Sequence, residues 1–338
     1  MKEKTIREVS DLWRRDKKQY VKVSTYAAYV LILENHILPA FGNRTTISES
    51  EVQEFVITSL KNGLAQKTVR DMLMVLKMIV RFGAKLGCDW KTDWDIKFPT
   101  VQQKQELEVL SIENHRKVMQ YVRENFTFRN LGIYICLSCG LRIGEVCALT
   151  WSDIDIDEGV IRIRKTIERV YVMDEDERHT ELMIGAPKTQ NSIRDIPISR
   201  ELMKMLKPVR KVVNADYFVL SNDMNPIEPR TYRNYYKSLM EEIGIPAMKF
   251  HGLRHSFATR CIESNCDYKT VSVLLGHSNI GTTLNLFFAV KVVKIKAMRP
   301  KLLSSCIFIN RTKIDIFFSV QNLNLNIIHI HGCKQTNI

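Results

Sequence analysis

No stretch of this 338-residue chain stays apolar long enough to cross a bilayer, because charges interrupt every hydrophobic run. The opening residues, MKEKTIREVSDLWRRDKK, hold no apolar segment of the kind that directs secretion, so the chain is expected in the cytoplasm and away from membranes. Its eight cysteines follow no regular spacing, which argues against a disulfide framework and reads as buried free thiols in a reducing compartment. Cys136 and Cys139 make a C-x-x-C, but no second Cys or His pair follows at zinc-site spacing, so no metal is expected.

Positive charge is what the chain has in excess. Lys and Arg number 50 against 37 Asp plus Glu, a formal net charge of +13. Such a balance favours a polyanionic partner, nucleic acid first, although charge alone leaves that choice even. The length suits two domains, and 45% hydrophobic residues suffice to fill both.

From Ser24, the apolar positions Tyr26, Tyr29, Val30, Leu33 and Ile37 recur at helical spacing until Pro39 and Gly42 stop them. Ser48 and Glu51 form a capping-box pattern ahead of a second helix, with Val52, Phe55, Val56 and Leu60 inside and Asn62 and Gly63 at its end. A third runs from about Lys67 through Val69, Met72, Leu76, Ile79 and Val80 to Gly87. Residues 1–90 are thus expected to form a helical domain. Its Lys61, Lys67, Arg70, Lys77, Arg81 and Lys85 are candidates to face phosphates, though a solvated helix face reads the same way. The pattern fails over 91–108, which holds Pro99 and three Gln and reads as a linker.

Helical spacing resumes after Ser111, and the apolar run from Leu131 to Leu137 belongs at the centre of a second core. Beyond Trp151 the period changes to two. Strands are expected from Val160 to Val172, near Leu182 to Lys188 and from Ile193 to Ile198, with helices over 199–213, 229–243, 251–263 and 267–275. The second domain, 109–300, is therefore mainly α with a small three-stranded β-sheet. Residues 301–338 differ in kind, with eight Ile and five Asn but no Ala, Glu, Met, Tyr or Trp; this atypical tail reads as disordered or frameshifted.

Five local features stand in order: G-L-R-I-G-E at 140–145, P-K-T-Q-N-S-I-R-D-I-P at 187–197, H-G-L-R-H at 251–255, L-G-H-S at 275–278 and T-T-L-N at 282–285. Each is weak alone. Arg142 with Glu145 has the look of a structural ion pair, Lys188 of a turn lysine and His277 of a capping residue; His255 reads as structural, turned away from the His251 face.

Together, in order and spacing, they resemble the catalytic domain of the tyrosine site-specific recombinases, the phage integrase family, over residues 109–296. The helical N-terminal region is similar to that family's SAM-like core-DNA-binding domain, and the style resembles integrases of conjugative transposons and phages in Gram-positive bacteria. The resemblance implies a two-domain clamp on double-stranded DNA that performs site-specific recombination and integration through a 3′-phosphotyrosyl intermediate. It implies Arg142 and Arg254 as a guanidinium clamp on the scissile phosphate, His251 and His277 as further donors, Lys188 as general acid and Glu145 as an orienting carboxylate. It also implies a homo-tetramer on DNA and an excisionase or other accessory factor. Exchanging one phosphodiester for a bond of similar energy needs no ATP, metal or other cofactor.

One element of the pattern is missing. The family places its nucleophilic tyrosine after T-T-L-N-x, where this chain has Phe287, and the last of its eleven tyrosines is Tyr268. A benzene ring has no oxygen to attack phosphorus. The family commonly places His two positions further on, and here Ala289 stands there. An engineered Tyr-to-Phe change accounts for Phe287 alone; a decaying or frameshifted mobile-element gene accounts for Phe287, Ala289 and the tail. The sequence therefore reads either as a recombinase deficient in cleavage or as a non-catalytic protein that occupies recombination sites.

Overall fold

A computed structural model describes residues 3–91, 93–100, 108–173, 178–187, 189–246 and 248–286. The N-terminal part is built from α1 (Ile6–Lys18), α2 (Val23–Ile32), α3 (Leu38–Phe41), α4 (Glu49–Lys61) and α5 (Gln66–Lys85). Helix α1 is absent from the expectations above. Its signal is a Thr5-x-x-Glu8 box whose side chains cap each other's backbone, followed by Ile6, Val9 and Trp13, which are buried among charges that mask their spacing.

The helical run expected from Ser24 does stop at Gly42, the cap after Phe41, but it passes Pro39 by way of a π-helical turn at Leu33–Ile37, where the Leu38 N–H reaches back to the Leu33 carbonyl. Pro39 has no N–H to offer, so the widened turn absorbs it without ending the run. Helix α4 starts as expected, with Ser48 and Glu51 capping each other. Helix α5 buries Val69, Met72, Leu73, Val75, Leu76, Ile79 and Val80 and forms the centre of this part.

The first half of the expected linker belongs to the same core. Trp94 is buried there, and Ile96 and Phe98 pack beside it. The segment is extended, which is why no helical period shows. Gln53 fastens it by donating to the Lys97 carbonyl (3.0 Å) and accepting the Lys97 N–H (2.8 Å), and Gln66 donates to the Pro99 carbonyl (2.8 Å).

The second part contains α6 (Ile112–Glu124), α7 (Phe128–Cys139), α8 (Ile143–Ala148), β1 (Ile154–Asp155), β2 (Val160–Ile163), β3 (Thr166–Met173), β4 (Arg178–Gly185), β5 (Arg194–Pro197), α9 (Arg200–Arg210), α10 (Pro229–Glu242), α11 (His251–Glu263) and α12 (Tyr268–Leu275). The last described stretch, 280–286, is again helical. Helix α7 is the axis: from Leu131 to Leu137 every residue is buried, against α6, α8, α9 and α11.

The three-stranded sheet exists, but with other members than expected. Its order is β1-β2-β5, antiparallel, with Ile161 opposite Ile154 on one side and Ile196 on the other. The strand read as continuous from Val160 to Val172 breaks at Arg164 and Lys165. Arg164 turns to the Arg194 carbonyl (2.9 Å), and the Lys165 ammonium folds back to Thr150 Oγ1 (2.8 Å) and Asp153 (3.1 Å). Strand β3 then pairs with β4 alone as a separate hairpin, Thr166 opposite Gly185. Among the described residues, no helix is long and apolar enough to cross a membrane.

Ser48→Ala removes a side-chain acceptor from the first turn of α4 and should cost about 1 kcal/mol of stability, read as a lower urea midpoint with unchanged slope.

Candidate functional site

Helix α7 ends where Gly140 turns left-handed (φ +67°) and sends the chain into α8; a Cβ there would stand 2.4 Å from the Phe257 ring. Arg142 is the N-cap of α8, and Glu145 one turn on folds back to it, accepting the Arg142 N–H (2.9 Å) and Nη1 (2.7 Å). Glu145 is 2% exposed, and both its oxygens also accept from Arg194, at 3.0 and 2.8 Å. Burial alone would raise its pKa. The hydrogen bonds and charges of Arg194 and Arg142 outweigh that and hold the carboxyl below its ordinary value.

Arg254, on the first turn of α11, is also 2% exposed, and its guanidinium is fixed by main-chain acceptors: Nη1 donates to the Gly140 carbonyl (2.9 Å) and Nη2 to that of Leu275. Burial, then the Arg142 charge, pulls its pKa down to about 9, so it remains a cation at neutral pH. Arg142 Nη2 donates to the Gly276 carbonyl at 3.2 Å, and its side chain keeps 35% of its surface open.

His251 opens α11, and His277 follows the turn at Gly276, with its Nδ1 2.8 Å from Thr283 Oγ1. Desolvation in the cleft pushes both imidazoles down to about 4, helped at His251 by His255, Arg254 and Arg142 and at His277 by Arg254 and Arg142. Both are therefore neutral at pH 7. His255 is not turned away as expected: residues four apart share a helix face, and its ring stands edge-on to His251 with centroids 4.7 Å apart.

Arg142, His251, Arg254 and His277 line one cleft of about 940 Å³. Thr166 to Arg169 of β3 and Arg230 and Arg233 of α10 continue its wall. Lys188 and Phe287 lie outside the described residues; Pro187 and Thr189 beside the former line the cleft, and Leu286 before the latter is buried with Phe257, Ile262, Val271 and Leu275. In the N-terminal part Lys61, Lys67, Arg70, Arg81 and Lys85 are exposed. Arg70 also stacks 4.0 Å over Phe98, and Lys77 is half-buried with its ammonium on the Trp94 carbonyl (3.3 Å), so these two help hold the 94–98 segment.

Among the described residues, four cations at or beside the cleft, Arg169, Arg194, Arg230 and Arg233, carried no role in the sequence reading. Arg194 was visible inside the 187–197 motif, and Arg230 and Arg233 were visible only as an i, i+3 pair after the helix-opening Pro229. Cys136 and Cys139 are buried with raised pKa values, Cys139 up to about 12, so both are thiols; no group of three metal-ligating side chains converges among the described residues.

Glu145→Gln leaves Arg194 buried beside a neutral amide and should cost about 3–5 kcal/mol in denaturant unfolding. Because the folded-state pKa of Glu145 is lowered, its stabilisation is complete above the unfolded value of 4.5 and is lost as pH falls through the folded one; the Gln variant should lack that part of the acid transition. His251 and His277, lowered from 6.5 to about 4, should add a decline in stability between those values that disappears when both are replaced by Gln.

A profile of the phage integrase family matches residues 108–292, more than half the chain, and one of the phage integrase N-terminal SAM-like domain matches residues 5–58. The chain is 29% identical over 292 residues to a tyrosine recombinase XerC-like protein of Caldanaerobacter subterraneus, covering 79% of this chain and 74% of that one. It is 25% identical over 264 residues to the transposase from transposon Tn916 of Enterococcus faecalis, covering 72% of this chain and 63% of that one. In fold it is similar to a Tn1549 transposon integrase solved in complex with transposon right end DNA (TM-score 0.70, 20% identity, 88% of this chain and 100% of that one). It is also similar to a lambda integrase dimer bound to a core site (TM-score 0.59, 16% identity, 84% of this chain and 95% of that one). The profile match over residues 108–292, joined to the SAM-like match upstream, shows that the chain belongs to the phage integrase family of tyrosine recombinases.

Proposed function

We propose that this protein acts in the cytoplasm on double-stranded DNA at the recombination sites of a mobile genetic element, and that it grips the scissile phosphate without cutting beside it. The convergence of Arg142, His251, Arg254 and His277 on one cleft carries this reading. Two guanidinium forks meet the non-bridging oxygens of a phosphate, and two imidazoles can donate further bonds. Pro187 and Thr189 line the cleft, and Lys188 between them in sequence would act as general acid toward a leaving 5′ oxygen. Residues 3–100, whose last stretch packs into the N-terminal core, would form one arm on the duplex, with Lys61, Lys67, Arg70, Arg81 and Lys85 toward phosphates, and 108–286 the second arm.

Cleavage fails in this reading because Phe287 stands where the nucleophile belongs, and no tyrosine near the site replaces it. Tyr232 and Tyr236 are buried in the core with their pKa values pushed up by desolvation, and Tyr232 donates to the Arg129 carbonyl (2.8 Å). Tyr235 donates to Asn130 Oδ1 (2.6 Å), and none of the three lines the cleft. The family's activity, strand exchange through a 3′-phosphotyrosyl bond, would then be reduced to occupying sites or poisoning assemblies with active copies. Assembly as a homo-tetramer, the form in which lambda integrase binds a Holliday junction, and an excisionase or similar accessory factor complete the reading.

On a nicked suicide duplex carrying a site recovered by binding selection, the natural chain should yield no covalent adduct on a denaturing gel and Phe287→Tyr should yield one. An adduct with the natural chain would place the nucleophile elsewhere. Gel-shift affinity should fall steeply with salt, by about 10³-fold or more between 50 and 200 mM if at least six phosphates are contacted. A bound phosphate favours the imidazolium form of His251 and His277, so affinity should rise as pH falls from 6.5 toward about 4.

A further inference from the structure

Three arginines meet the end of α12, and each takes a different main-chain carbonyl. Arg194 Nε donates to Leu274 (2.7 Å), Arg254 Nη2 to Leu275 and Arg142 Nη2 to Gly276 (3.2 Å). The last turn of a helix presents carbonyls without intrahelical partners and the negative end of its dipole, so it gathers cations. Two of these cations line the cleft. The third, Arg194, does not; its side chain is 4% exposed.

The remaining side-chain bonds of Arg194 hold the site from behind. It grips both oxygens of Glu145, which holds Arg142, and donates to the carbonyl (2.9 Å) of Ser192, which lines the cleft with Thr189. One guanidinium thus ties α8, the turn before β5 and the end of α12. The fit extends to Gly276, left-handed at φ +63°: a Cβ there would meet the Asn191 oxygen at 2.7 Å and Arg194 Cδ at 3.2 Å.

We propose that Arg194 is the positioning residue of the phosphate site: it touches no substrate, but it sets Arg142, through Glu145, and the Gly276–His277 turn, through Leu274, at the spacing one phosphate needs. This rests on the cleft being a phosphate site. A lysine keeps the charge but cannot reproduce a planar fork bonded to Glu145, Ser192 and Leu274 at once.

The test is Arg194→Lys, read first by titrating inorganic phosphate and following the ring signals of His251 and His277 by NMR. In the unsubstituted chain both rings should shift with one affinity. In the variant that affinity should weaken at least about tenfold, and in a Phe287→Tyr background adduct formation should slow about 100-fold, the scale of a misplacement near 1 Å. Binding to non-specific duplex, set by surface phosphate contacts, should change less than about threefold. Phosphate affinity and adduct rate both within about threefold of the parent would overturn the proposal. Should the lysine variant not fold, Gly276→Ala displaces the same carbonyls and presses on the Arg194 side chain while keeping both charges of the buried ion pair, and retention of phosphate affinity there would overturn it equally. Phosphate that moves neither histidine in the unsubstituted chain sinks the phosphate-site reading and the positioning role with it. Phosphate that moves both, with no adduct from Phe287→Tyr, sinks only the nucleophile assignment and leaves the phosphate comparison to decide on Arg194.

Discussion

A carboxylate almost fully withdrawn from water, Glu145, lies between two guanidiniums, and the geometry of the cleft depends on that contact. Charges are stable in such a place only when paired and fully hydrogen-bonded, and here both oxygens accept from Arg194 while one also accepts from the Arg142 guanidinium and the other from the Arg142 N–H. Removing the carboxylate strands the buried Arg194, and removing Arg194 leaves Glu145 with Arg142 as its other guanidinium partner. The apolar mass around α7 supplies the low-dielectric setting that makes this electrostatic arrangement exacting, since a misplaced charge there has no water to relax into.

Much of the fold was legible because its helices bury one face at helical spacing and begin with recognisable caps, as α4 does at Ser48 and Glu51. Helix α1 escaped because its three buried apolar residues are set among lysines, arginines and acids, and a charge-rich stretch reads first as solvent-facing. The 94–98 segment escaped for the opposite reason: an extended strip held by Gln53, Gln66 and aromatic anchors leaves no period to detect. The strand break at Arg164 and Lys165 was invisible because alternation continues across it, while the chain is redirected by long-range bonds to Arg194, Asp195, Thr150 and Asp153.

The site was legible in its outer members and not in its support. Arg142, His251, Arg254 and His277 stand in motifs whose order is informative, and the structure brings all four to one cleft. Arg194 sat within such a motif yet gave no sign of its partners, because its acceptors are two main-chain carbonyls and a carboxylate 49 positions away. The placement of His255 was misjudged for a simpler reason, since two histidines four apart on a helix are neighbours.

The acceptors at the end of α12 are backbone atoms, and this bears on what a substitution can remove. Any residue at 274 or 275 offers the same carbonyl, so what constrains those two leucines is their apolar packing, while Gly276 is pinned by its left-handed turn. A nucleophile, by contrast, disappears in one codon change. The capacity to hold an anion and the capacity to break a bond therefore rest on different footings, the first on carbonyls at one helix end and the second on a single side chain.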